Sequence, residues 1–306
     1  MKILFMGTPE FAVPSLNALL SSSHTVVGAV TQPDRALKHG KTEIGAVKKA
    51  ALAANIPVFQ PDKIRNELER IKRFGADIAV TAAFGQILTQ EILDAFPRGV
   101  INVHASVLPK YRGASPIYAA IAAGERETGV TIMRTDVGID TGDILSVRKT
   151  DIRDGETCGE LTERLAAMGA ELLVKTLDGL DGITPVKQND GEATRCRTVK
   201  KSEQYIDFSA DAKTVANKIR ALSPVPCAKT AINGEIYKIY SAAVADGVHA
   251  ARAGEIVRCD DKLIISCADG AVEILRIQAP SKRALDISEF LRGKRFDVGV
   301  MCAKPQ

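Results

Sequence analysis

Gly99-Val100-Ile101-Asn102-Val103-His104 is an apolar run that closes on two polar side chains, and its reading sets the fold class. In an extended strand successive side chains point to opposite faces, so Asn102 and His104 share one face while Ile101 and Val103 pack on the other. Such a run reads as a buried strand. In an open α/β sheet the ligand crevice lies beyond the carboxyl ends of the strands, which is where this amide and imidazole would sit. A lone histidine near an apolar strand also serves well as a satisfied structural residue. Asp140 changes the balance: it follows a second apolar run, Val130-Thr131-Ile132-Met133, inside the glycine-bracketed turn Gly138-Ile139-Asp140-Thr141-Gly142-Asp143. A carboxylate beside an imidazole fixes its tautomer.

Outward from this stretch the chain alternates short apolar runs with helix-like segments. Lys2–Met6, Val26–Val30 and Ile78–Ala82 read as strands, and 44–54 and 91–95 as helices. This is the rhythm of a parallel, doubly wound sheet. At the first turn Thr8 reads as an N-cap with Pro9 at the first helical position. The turn lacks Gly-x-Gly-x-x-Gly and no Gly-Lys-Ser/Thr loop occurs, which argues against a dinucleotide enzyme or a P-loop enzyme. Residues 156–177 have an amphipathic helical spacing of leucines. Turn-rich sequence from Asp178 to about Glu203 then marks a linker. Beyond it 212–222 is helix-like, Asn233-Gly234 between alternating runs predicts a hairpin, and further short runs at 256–258, 262–266 and 272–275 predict a small barrel. The expected domains are 1–180, a linker at 181–203, and 204–306.

With 306 residues, 45% hydrophobic and 25% charged, the composition is that of a globular protein with room for two cores. No apolar stretch has the length and charge-free character of a membrane span, and the start does not read as a signal peptide, so a cytoplasmic protein is expected. The six cysteines form no Cys-x-x-Cys pair, so reduced structural thiols and no metal are expected. A net charge of +4 neither demands nor excludes a polyanionic partner.

The stretch from Ile101 to Asp143, with Asn102, His104, Ser106-Val107-Leu108-Pro109, Arg112-Gly113, Thr128-Gly129-Val130-Thr131 and Asp140-Thr141-Gly142-Asp143, resembles the folate-dependent formyltransferases. Met6-Gly7-Thr8-Pro9-Glu10-Phe11-Ala12, Thr31-Gln32-Pro33-Asp34-Arg35 and Phe290-Leu291-Arg292-Gly293 extend the resemblance nearly end to end. It implies an N-terminal Rossmann-like formyltransferase domain followed by an OB-like barrel that helps hold tRNA. The implied reaction moves the formyl group of 10-formyltetrahydrofolate, the co-substrate, to the α-amino group of methionyl initiator tRNA, in a monomer without a metal. Asn102, His104 and Asp140 are then the catalytic set, Ser106, Val107, Leu108 and Pro109 contact the folate, and Arg35, Lys38, His39 and Lys41 reach the tRNA.

Acyl transfer needs a donor for the developing oxyanion and a route for the amine proton, which an amide, an imidazole and a carboxylate supply. Which of His104 and Asp140 acts as the formal base stays open. The chain departs from the family at Ala36-Leu37-Lys38-His39-Gly40, where Pro-Ala-Gly-Arg-Gly is usual, and at Ala105, where glycine is usual. The rival readings are a formyltransferase for glycinamide ribonucleotide or an amino sugar, a silent tRNA-binding module, and an oxidoreductase.

Overall fold

In the computed structural model, residues 1–36, 42–247 and 252–304 are described. They divide into two compact units, each drawn from several stretches of chain. The first comprises Met1–Gly113, Thr128–Thr150 and Thr162–Cys196, and the second Ala114–Glu127, Asp151–Leu161 and Arg197–Gln306. The turn-rich stretch expected to link two domains is therefore divided: its residues up to Cys196 pack within the first unit, and Arg197 onward within the second.

The first unit is built on strands β1 (Lys2–Gly7), β2 (Thr25–Val30), β3 (Val58–Phe59), β4 (Ile78–Ala82), β5 (Val100–His104), β6 (Glu127–Arg134) and β7 (Ile144–Asp151). Their order across the sheet is β7-β6-β5-β4-β1-β2-β3. The strands from β3 to β5 are mutually parallel, while β6 runs antiparallel to β5 with His104 opposite Thr131. The parallel strands are buried along most of their length, as expected of strands covered on both faces.

Helices α1 (Val13–Leu20), α2 (Ala46–Ala53), α3 (Leu68–Lys72) and α4 (Gln90–Leu93) connect the parallel strands. The long helix α6 (Cys158–Asp178) buries Leu161, Leu165, Leu172 and Leu173 as its leucine spacing requires. On α6, a Cβ at Gly169 would lie 2.9 Å from a Val103 methyl, so this helix covers the face of β5 opposite Asn102 and His104.

Thr8 does not cap a helix. Its hydroxyl accepts from Gln32 N at 3.1 Å and reaches the Phe84 carbonyl at 3.5 Å. The turn after β1 enters a short 3-10 segment, Glu10–Ala12, before α1 starts with its proline at Pro14. The hydroxyl is drawn away because the ends of β1, β2 and β4 converge there.

The second unit contains β8 (Ala228–Ile232), β9 (Glu235–Ala245), β10 (Ile256–Cys259), β11 (Leu263–Ser266), β12 (Ala271–Gln278), β13 (Ala284–Asp286) and β14 (Cys302–Ala303), with helices α5 (Pro116–Ala122), α7 (Ala212–Leu222) and α8 (Ile287–Gly293). The order is β10-β11-β12-β9-β8-β14, with β13 beside β12. Glu255 bridges Met301, next to the two outer strands, so the antiparallel sheet curls back on itself. The β8–β9 hairpin turns through Asn233 and Gly234 at φ 51° and 79°, the left-handed pair that a two-residue turn of this hand demands. Asp211 caps α7, its carboxylate accepting from Thr214 N at 2.9 Å. Val215, Ile219 and Leu222 of α7 pack into one core with Tyr237, Phe290 and Phe296.

Among the described residues no helix is long and apolar enough to cross a membrane, and no group of three or more His, Cys, Asp or Glu could hold a metal ion. None of the six cysteines is in a disulfide.

Candidate active site

Asn102 and His104 leave β5 on the same face, and Asp140 is brought to them by the turn after β6. The Asn102 amide donates from Nδ2 to Asp140 Oδ1 at 3.3 Å. Its own Oδ1 accepts from the Thr81 hydroxyl of β4 at 2.9 Å. Because a carboxylate can only accept, the amide turns its NH₂ toward Asp140, and the Thr81 hydroxyl meets the oxygen on the other side.

His104 is 5% exposed. Its Nε2 lies 3.0 Å from the Tyr111 carbonyl, which can only accept, so Nε2 carries the proton. Nδ1 faces Asp140 Oδ2 at 3.5 Å. The ring can therefore gain or lose a proton at Nδ1, on the carboxylate side, without turning.

Asp140 itself has φ 54°, a left-handed conformation that costs a non-glycine residue about 1–3 kcal/mol. Its Oδ2 accepts from Gly113 N at 2.8 Å. Tyr111, whose carbonyl holds the histidine, is also left-handed at φ 61°. Strained backbone at two points that orient the same imidazole–carboxylate pair marks the place where the fold spends conformational energy on geometry.

The turn Ser106-Val107-Leu108-Pro109 leaves β5 directly. Ser106 is fully buried and donates from Oγ to the Lys110 carbonyl at 2.6 Å. The Thr131 hydroxyl donates to the Ser106 carbonyl at 2.7 Å and accepts from Leu108 N at 3.1 Å, so β6 pins the turn. The Val107 side chain faces Gly129, where a Cβ would stand 2.9 Å from it, and Pro109 accepts from Thr194 N at 3.3 Å. Ala105 is buried at the head of this turn, in the position that resemblance assigned to glycine.

Arg35 is exposed on a two-residue strand whose register pairs it with Glu43, while Lys38, His39 and Lys41 lie outside the described residues. Just before this segment, Asp34 receives Lys48 Nζ at 2.5 Å and Gln60 Nε2 at 2.9 Å. The hydrogen bond from Lys48, then that from Gln60, holds its carboxyl below the usual range.

Thr81, Tyr111 and Gln188 take part in this geometry and were not singled out in the sequence, and Thr131 stood there only as a member of the motif Thr128-Gly129-Val130-Thr131. Gln188 is 6% exposed. Its Nε2 donates to the Asp140 and Gly142 carbonyls at 2.9 and 2.7 Å. Period-two and period-3.6 patterns carry no trace of such contacts, since the partners lie far apart in the chain.

A sheet with a donor amide, an imidazole and a carboxylate gathered beside its strand ends has the equipment of an acyl-transfer enzyme. The family described as formyl transferase matches residues 1–177, and its C-terminal domain matches residues 198–295. The chain belongs to the formyl transferase family. A curated methionyl-tRNA formyltransferase of Lachnospira eligens is 42% identical over 98% of this chain and 99% of its own length. That of Methylococcus capsulatus is 41% identical over 97% and 99%.

Within the family, the chain therefore falls among the methionyl-tRNA formyltransferases. Among solved structures, an N-formyltransferase of Helicobacter canadensis, complexed with folinic acid and dTDP-3-aminofucose, superposes with a TM-score of 0.69 at 22% identity, covering 92% of this chain and 100% of its own. A methionyl-tRNA formyltransferase from Clostridium thermocellum gives 0.56 at 20% identity, covering 81% and 95%. At these identities the structural likenesses speak for the fold alone.

Proposed function

We propose that the chain transfers the formyl group of 10-formyltetrahydrofolate to the α-amino group of methionine on initiator tRNA, and that Asn102, His104 and Asp140 carry the chemistry. The observation behind this reading is the contact of all three side chains in one half-buried cluster, in a chain whose curated relatives bear that activity in their name. The donor set fits an acyl-transfer co-substrate, since the amide, the imidazole and the carboxylate can each hold or move a proton or hydrogen bond at a stated atom. When bound, 10-formyltetrahydrofolate supplies a formyl carbon attached to a nitrogen that can leave.

Asn102 Nδ2 has two hydrogens and spends one on Asp140, so the second is free for an oxygen gaining negative charge. One preorganised donor of this kind is worth about 2.7–4 kcal/mol in the transition state. His104 Nδ1 and Asp140 Oδ2 form the proton-exchange pair: the carboxylate draws the proton lost by the attacking amine, through water, and protonated Nδ1 returns one to the leaving nitrogen. Placement of such groups contributes about 10²–10⁴-fold. Ser106-Val107-Leu108-Pro109 lies beside this pair and offers a rigid backbone edge to the folate. We assign residues 1–180 to the catalytic domain, 181–203 to a linker whose first part, up to Cys196, packs within the same unit as the catalytic residues, and 204–306 to a tRNA-holding barrel. Arg35, Lys38, His39 and Lys41 are assigned to the acceptor end of the tRNA, where lysine and arginine suit phosphate contact. The place of action is the cytoplasm and the enzyme a monomer.

The test is transfer of labelled formyl from 10-formyltetrahydrofolate, with methionyl initiator tRNA, elongator methionyl-tRNA, free methionine and glycinamide ribonucleotide as acceptors. Transfer confined to the initiator tRNA and lost in His104→Ala is the expected result. Transfer to a small acceptor would overturn the substrate, and no transfer to any acceptor would overturn the reading as a whole.

A further inference from the structure

Beyond the three reacting side chains, one buried amide joins the backbone of Asp140 to a part of the chain that sequence reading takes for a linker. We infer that Gln188 is a positioning residue, which with Arg112 holds the left-handed Asp140 turn and thereby sets the carboxylate against His104. The inference rests on the catalytic roles proposed above.

Every polar atom of the Gln188 side chain is used. Nε2 donates both hydrogens to the Asp140 and Gly142 carbonyls, at 2.9 and 2.7 Å. Oε1 accepts from Arg112 Nε at 3.0 Å. The opposite amide orientation would set an oxygen against two carbonyls and an NH₂ against a guanidinium, so the network admits one orientation only. Arg112 is itself 4% exposed, and its outer nitrogen donates to Asp190 Oδ1 at 2.8 Å.

The backbone repeats the tie. Val186 exchanges hydrogen bonds with Ile144 at 2.8 and 2.9 Å, and Thr194 accepts from Arg112 N at 2.9 Å while its hydroxyl accepts from Tyr111 N at 2.8 Å. Residues 186–196 thus run as a strap along both turns that orient the catalytic pair: 140–144, which carries Asp140, and 111–113, which holds His104 Nε2 and Asp140 Oδ2. Gln188 is the side chain of the strap that bonds to the backbone of the catalytic residue itself. Asp140 sits in a backbone conformation it would not choose alone, and two carbonyl acceptors filled by one buried amide hold it there.

Gln188→Ala and the near-isosteric Gln188→Glu are measured in the full chain. Glutamate keeps an oxygen for Arg112 but turns the two donations into carboxylate–carbonyl repulsion, so it tests the donor function without leaving a cavity. In either variant kcat is expected to fall about 10²-fold, the scale set by small displacements of catalytic groups. KM for formyl donor and tRNA should stay within about twofold, the pattern of an interaction that matters only in the transition state.

A second readout needs neither substrate: the ¹H–¹⁵N imidazole correlations of His104, assigned by their loss in His104→Ala among the four histidines. They should change in Gln188→Glu while those of His24 stay in place. A Gln188→Glu enzyme with wild-type kcat, or with unchanged His104 correlations, overturns the inference. Changed correlations in an enzyme that formylates some other acceptor would leave this inference standing and sink the proposed substrate instead.

Discussion

The turn around Asp140 and the core around Tyr237 are built on opposite principles. In the barrel, fully buried Tyr237 meets Phe290 and Phe296 edge-on, with centroids 6.3 and 5.4 Å away and interplanar angles of 88° and 89°. This is the arrangement that aromatic quadrupoles favour. Around Asp140 the chain buries an amide, a guanidinium and an imidazole, and holds two non-glycine residues left-handed. The first region gains stability from shape. The second uses stability to fix where a few polar atoms stand.

The contrast breaks most sharply at the catalytic carboxylate. Asp140→Asn keeps a side chain that tolerates the left-handed backbone but removes the proton acceptor and the charge beside His104, and kcat should drop by up to about 10⁴-fold with the melting temperature little changed. Steady-state formylation kinetics beside a thermal melt check this. A large loss of stability with modest loss of kcat would mean that the site is ordinary core.

Phe296→Ala should do the reverse. It removes a 6%-exposed ring from the stack on Phe290, at 5.9 Å between centroids, and from the edge of Tyr237. The expected cost is about 3–5 kcal/mol of unfolding free energy in urea titration, with kcat per folded molecule retained at saturating tRNA.

Asn102→Ala comes next, at about 2.7–4 kcal/mol of transition-state stabilisation. Thr81→Val, which leaves the amide in place but frees it to turn, should show a smaller loss of the same kind. If Thr81→Val has no effect on kcat, the lock on the amide is not what makes it a useful donor.

The same contrast explains what the sequence could and could not show. Barrel elements announce themselves locally: Asn233-Gly234 needs two left-handed residues between alternating strands, and the helix at Ala212–Leu222 carries its own cap in Asp211. The face shared by Asn102 and His104 was legible too, since it follows from strand geometry alone. Their partners were not. Thr81 reaches Asn102 from the neighbouring strand, and Gln188 reaches Asp140 across 48 residues, from a stretch whose turn-rich composition reads as linker. Thr8 makes the point in reverse: locally an excellent cap, it is taken by a hydrogen bond from Gln32 N. Local rules fail where distant strand ends compete for the same polar group.

The smallest effect, and the one that sharpens the comparison on the barrel side, concerns Glu203 at the entry to the second unit. Arg197 donates to both of its carboxylate oxygens, at 2.7 and 2.5 Å, and Lys200 N donates at 2.8 Å. The hydrogen bond from Arg197 first, then that from the Lys200 backbone, brings its pKa down from 4.5 to about 2. A carboxyl depressed in the folded state contributes stability that is complete above its unfolded pKa and is lost as pH falls through the folded one. The stability difference between wild type and Glu203→Gln should therefore hold at neutral pH, shrink between pH 4.5 and about 2, and vanish below that range. Because this ion pair is exposed, added salt should narrow the difference at neutral pH as well. Thermal melts of the two proteins across that pH range decide it: a difference that grows on acidification would mean that Glu203 is held by something other than the arginine.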